Sequence, residues 1–139
     1  MRALVICLVL CATSLFVRAQ SVQFEAIDIF IDSHGQPLAA YQLEFFARKD
    51  AIRIVGVEGG EHDAYKEPPY YDPKAIQHER VIIAAFNTGN KNPIGKTRVA
   101  TIHVQVLRRP DYRLKLHTAA DSEGTPIPVH ASFTERKSE

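Results

Sequence analysis

The sequence predicts an all-β fold, an antiparallel β-sandwich, on three observations. Short apolar or alternating runs recur along the chain, clusters of turn-forming residues separate them, and no stretch carries the i, i+3, i+4 periodicity of an amphipathic helix. A jelly roll is the more specific expectation. With 139 residues the chain has the length of one ordinary domain with its own core.

The segment before the first strand has the pattern of a signal peptide. Arg2 gives a positive start, Ala3 to Val17 an apolar run too short for a bilayer span, and Val17-Arg18-Ala19 a small-residue cleavage pattern. Residues 1–19 are therefore expected as a leader, and residues 20–139 as a single β-sandwich domain with a long loop at 59–79. Both cysteines, Cys7 and Cys11, lie in the leader, so the mature chain has no disulfide, cysteine nucleophile or thiolate metal site. Leu10 stands before Cys11, where a lipoprotein signal needs a small residue. The expected location is extracytoplasmic, periplasmic or secreted, with membrane contact only through the cleaved leader. Without Arg2 and Arg18 the 17 basic residues become 15 against 16 acidic, a formal net charge of −1. That balance argues against nucleic acid as partner.

Val22 to Ile31 reads as the first strand, with apolar residues on both faces. Leu38 to Ala47 is the second, placing Ala39, Tyr41, Leu43 and Phe45 on one face and Gln42 and Glu44 on the other. Ile52 to Val57 is a third, rich in β-branched residues. Arg80 to Phe86 is a continuous apolar run, and its composition predicts the most deeply buried strand. Val99 to Leu107 alternates, with Ala100, Ile102, Val104 and Val106 inward and Thr101, His103 and Gln105 outward. Tyr112 to Thr118 follows the same pattern, and Ile127 to Phe133 is the last expected strand. The motif D-S-x-G-x-P-[LI] occurs twice, at Asp32 to Leu38 and Asp121 to Ile127. It predicts two hairpin-like connections using one turn chemistry.

Several chemical motifs fail on inspection. In GNKNPIGKT five residues separate Gly89 from Gly95 and a strand pattern follows, so the segment does not meet the requirements of a phosphate-binding loop. Neither a G-x-S-x-G elbow nor an H-E-x-x-H pair is present. His103 and His117 would share an outer sheet face if their strands pair. His62, Asp63, His78 and Glu79 would approach one another if the long loop folds back, but their spacing imposes no metal geometry. The loop acids single out no pair at glycosidase separation. No catalytic residue, metal site or cofactor is expected.

The long loop, GGEHDAYKEPPYYDPKAI, is the leading candidate site. It far exceeds the usual ~4–6 residue connection, and Asp72-Pro73 has the cap-and-proline pattern of a helical turn. Tyr65, Tyr70, Tyr71 and Asp72 are the candidate binding residues, because tyrosines on a loop stack on sugars or anchor protein interfaces. The alternative is that the rings fold inward and close the sandwich end.

The order of features resembles the cohesin-like sandwiches. An apolar strand ending in D-S-x-G-x-P-L, an AYQLEF strand, the IRIVGVEGG passage, the RVIIAAFNT strand and GKTRVATIHV carry the likeness over roughly Val22 to Ala119. Cohesins are jelly-roll sandwiches, related to some carbohydrate-binding modules, that bind dockerin modules through one sheet face. The resemblance implies a non-catalytic, extracytoplasmic binding module whose partner is a protein or, alternatively, a polysaccharide. The PPYYDP loop is outside the family pattern, and no binding residue is carried over.

Overall fold

A computed structural model describes residues 21–137; the expected leader lies outside the described residues. The strands are β1 (Gln23–Asp32), β2 (Ala40–Phe46), β3 (Ile52–Gly59), β4 (Arg80–Phe86), β5 (Lys96–Val106), β6 (Arg113–Ala120) and β7 (His130–Lys137). They form two antiparallel sheets, ordered β3-β5-β1-β7 and β4-β2-β6. The expected all-β sandwich is what the chain builds. Among the described residues no helix is long and apolar enough to cross a membrane.

Odd-numbered strands lie in one sheet and even-numbered strands in the other, so every connection crosses between layers. The two D-S-x-G-x-P segments share the expected turn chemistry but are not hairpins. Asp32 Oδ1 accepts from the His34 N–H at 3.0 Å, and Asp121 Oδ1 accepts from the Glu123 and Thr125 N–H groups at 3.0 and 2.9 Å. Gly35 and Gly124 take the left-handed φ values of 86° and 79° that each turn requires. After the turn, however, the chain runs on in extended form far enough to bridge the ~10 Å between packed sheets. Turn residues thus set the local bend, and the length that follows decides which sheet receives the next strand.

The core lies between the layers, where Ile27, Ile29 and Ile31 of β1 and Val99, Ile102 and Val104 of β5 face Tyr41, Leu43 and Phe45 of β2. The expected inward faces of β2 and β5 are those buried. The apolar run of β4 differs from expectation, because β4 is an edge strand. Val81 and Ile83 point inward while Ile82 and Phe86 are 38% and 63% exposed. The deepest strands are the central pair β1 and β5, which a run of apolar letters does not distinguish from an edge strand with apolar residues on both faces. The last strand starts three residues later than expected. Ile127 and Val129 still pack against the core from the connection before it.

Residues 60–79 close one open side of the sandwich. Their backbone bonds to both edge strands there: Tyr70 N–H and C=O pair with Ala84 of β4 at 2.8 and 3.0 Å, and Gln77 and His78 pair with Ile54 of β3 at 2.8 and 2.9 Å. The segment holds two short 3-10 turns, Asp63–Tyr65 and Pro73–Ala75, the second capped by Asp72 as its sequence predicts. At its start the chain is pressed against two backbones. A Cβ at Gly59 would lie 1.9 Å from the Lys66 carbonyl oxygen, and one at Gly60 would lie 2.1 Å from that of Arg98. Gly60→Ala is therefore expected to cost about 1–3 kcal/mol by overpacking. In urea melts its midpoint falls, whereas Gly56→Ala, whose Cβ meets no atom within 4 Å, stays within about 0.5 kcal/mol of the parent.

Candidate functional site

The loop tyrosines divide by orientation. Tyr65 is 2% exposed; its hydroxyl donates to the Leu38 carbonyl at 2.6 Å and its ring meets Tyr41 edge-on at 5.3 Å. Burial pushes its phenol well above the ordinary range. Tyr71 is half-buried against the core. Asp72 is exposed, and its carboxylate accepts from the Lys74 N–H at 2.9 Å. Tyr70 points outward and is 71% exposed. Three of the four candidate residues thus shape the loop, and the fourth is presented by it.

The structure pairs Tyr70 with a residue outside the loop. Its ring lies parallel to Phe86, with centroids 6.1 Å apart and planes within 12°. The reciprocal hydrogen bonds between Tyr70 and Ala84 hold this arrangement, and the buried Pro69 just before it restricts the approach. Ile82, Ala84 and Phe86 are alternate residues of β4 and so share the outer face of the three-stranded sheet. The only sequence signal for this strip was the even register of RVIIAAF, which composition alone assigned to the core.

Beside the strip sits a polar set on the same face. Glu44, 8% exposed, is paired through one carboxylate oxygen with Arg80 of β4 and through the other with His117 of β6 at 3.2 Å. The Arg80 guanidinium is the main reason its carboxyl stays below the ordinary glutamate range, and His117 adds to it. His103 and His117 do not share a face, because β5 and β6 belong to different sheets.

The outer face of the four-stranded sheet carries the second network. Arg136 of β7 donates to both carboxylate oxygens of Asp28, at 2.6 and 3.0 Å, and the buried Thr101 hydroxyl donates to the same group at 2.7 Å. Arg136 is the largest influence lowering the Asp28 carboxyl. His103 Nε2 lies 2.9 Å from Glu58 Oε2, without the alignment of a well-directed hydrogen bond, and the His103 ring is the main influence lowering the Glu58 carboxyl. A shallow groove of about 650 Å³ runs over this face past Phe24, Val55 and His103.

His62 is used locally, its Nδ1 accepting from the Ala64 N–H at 3.1 Å. Among the described residues no three His, Cys, Asp or Glu side chains converge as metal ligands. Comparison with known proteins finds no matching family model, no matching curated protein and no matching solved structure.

Two predictions follow from these contacts. Tyr65→Phe leaves the Leu38 carbonyl without its donor and is expected to cost about 1–3 kcal/mol, read as a lower urea midpoint at unchanged slope. The second concerns pH. Asp28, Glu44 and Glu58 have folded-state pKa values below their unfolded ones, so their stabilisation is complete above the ordinary carboxylate range of ~4 and is lost as pH falls through the depressed values. Melting temperature should hold nearly level down to about pH 5 and decline below about pH 4, less steeply in Glu44→Gln.

Proposed function

We propose that this chain is an exported, non-catalytic binding module of the cohesin-like type, engaging a protein partner through the outer face of the three-stranded sheet. The observation that carries the reading is the exposed cluster of Tyr70, Phe86 and Ile82 beside the Arg80–Glu44–His117 set. Aromatic and aliphatic anchors next to an arginine are the composition of an interface hot spot, and large apolar side chains grouped on one surface mark a contact region. The leader pattern at residues 1–19 supports export and an extracytoplasmic location. The crossing of every connection between sheets supports the finer description as a jelly roll.

The parallel exposed rings of Tyr70 and Phe86 favour one second reading, a carbohydrate-binding module that stacks a sugar ring there. Ile82 and the polar set have a use in a protein interface and none in sugar stacking, so the protein reading leads.

One variant addresses both. Tyr70→Ala combined with Phe86→Ala should melt close to the parent, yet weaken binding of a retained partner by about 30-fold or more, the equivalent of one hot spot of ~2 kcal/mol. The measurement is affinity capture from the extracytoplasmic fraction, followed by titration of the purified partner, with a glycan array run in parallel. Binding of a protein lost in the variant supports the first reading, and glycan binding lost in it supports the second. Equal binding by parent and variant overturns the assignment of the site.

A further inference from the structure

Exposed basic residues gather at one end of the strand axis although the chain as a whole is nearly neutral. At the end where β1, β3 and β6 begin and β2, β5 and β7 finish, Arg48, Lys49, Arg108, Arg109 and Lys137 are all exposed. None of these five forms an ion pair with a carboxylate among the described residues, whereas Arg80, Arg113 and Arg136 are each held by one. Asp50 and Glu135 are the exposed acids at this end that Arg113 does not engage, and Glu79 is half-buried; Glu25 is buried and accepts from Tyr112 at 2.7 Å. The opposite end carries Asp32, Glu61, Asp63, Asp121 and Glu123, interspersed with the exposed lysines Lys66, Lys91 and Lys96.

The basic end is assembled by backbone contacts between two connections. Arg48 N–H donates to the Pro110 carbonyl at 2.9 Å, and the Leu107 and Arg108 N–H groups both donate to Ala51 at 2.8 and 3.1 Å. These bonds fix Arg48 and Lys49 beside Arg108 and Arg109. A cleft of about 760 Å³ opens between Arg108, Arg109, Lys137 and the amides of Gln23 and Gln105. Two aliphatic side chains stand at its rim: Val22 is 62% exposed and Leu107 43%. Val22 belongs to the segment by which the chain enters β1.

We propose that this end of the sandwich docks on an anionic lipid surface, its arginines and lysines on headgroup phosphates and Val22 and Leu107 at the acyl boundary. Charge complementarity selects an anionic partner. The exposed aliphatic pair selects lipid over a soluble anion, because cations flanking apolar side chains are the composition of an interfacial membrane contact. Docking by a strand end leaves both sheet faces, including the Tyr70–Phe86 strip, on the flanks and open to a partner.

The test is vesicle co-sedimentation of the full chain, comparing phosphatidylglycerol mixed into phosphatidylcholine with phosphatidylcholine alone. The leader, with Arg2 and Arg18, contributes equally to parent and variants, so the readout is the change in the ratio of the two partition coefficients on substitution. Each basic residue near a charged surface contributes about fivefold. Arg108→Gln with Arg109→Gln should therefore lower that ratio about 25-fold, Lys49→Gln with Lys137→Gln should lower it similarly, and added salt should lower it in the parent. Val22→Ser with Leu107→Ser should weaken binding to the anionic vesicles. A ratio near one in the parent, a ratio unchanged in both charge variants, or binding to soluble polyphosphate without binding to anionic vesicles overturns the proposal.

Discussion

Every connection between the described strands leaves one sheet and enters the other, and the rest of the structure depends on that constraint. Among the described strands no two consecutive ones pair, so neither sheet can form as a local hairpin and be added to the other. The backbone hydrogen bonds of both layers are satisfied only when distant segments meet, such as β1 with β5 and β7. The apolar layer between them, from Ile27, Ile29 and Ile31 across to Tyr41, Leu43 and Phe45, is what brings those segments together. Folds dominated by such non-local pairing lie at the slow end of folding rates, because loop-closure entropy must be overcome before the contacts form.

A sandwich wound in this way has two open sides, and the chain treats them differently. Toward β6 and β7 the connection after Ala120 folds back so that Pro126 bridges it and Ile127 donates to Ala119. Toward β3 and β4 the long loop lies along both edges, capping unpaired backbone groups that would otherwise invite another strand. Tyr65 is the pin of that closure, since its hydroxyl bond to Leu38 ties the loop to the segment entering β2. The loop's length therefore has an architectural reason. What it offers outward is Tyr70, held in place by the strand edge it covers.

The polar faces follow one rule: a carboxylate set into the sheet surface holds a basic side chain from a neighbouring strand. Asp28 does so for Arg136, and Glu44 for Arg80 and His117. These pairs join edge strands to central ones, and Arg48, Lys49, Arg108, Arg109 and Lys137 of one strand end take no part in them. Exposed aromatics on one face and unpaired cations at one end are accordingly separate surfaces, oriented at right angles by the sandwich itself.

The sequence by itself determined the class of fold, the inward faces of β2 and β5, the chemistry of both D-S-x-G-x-P turns and the Asp72 cap. Each of these is local, set by alternation with period two or by side chains reaching backbone groups two residues away. Only the tertiary structure decided which strands became neighbours. That decision made β4 an edge rather than a core strand, put His103 and His117 on opposite faces, turned Tyr65 inward and Tyr70 outward, and set Phe86 beside Tyr70. The physical reason is that an apolar run or a tyrosine carries no mark of its partner. Partners are fixed by how the crossing connections stack the layers, and the candidate site, built from residues of the loop and of β4, exists only once they have done so.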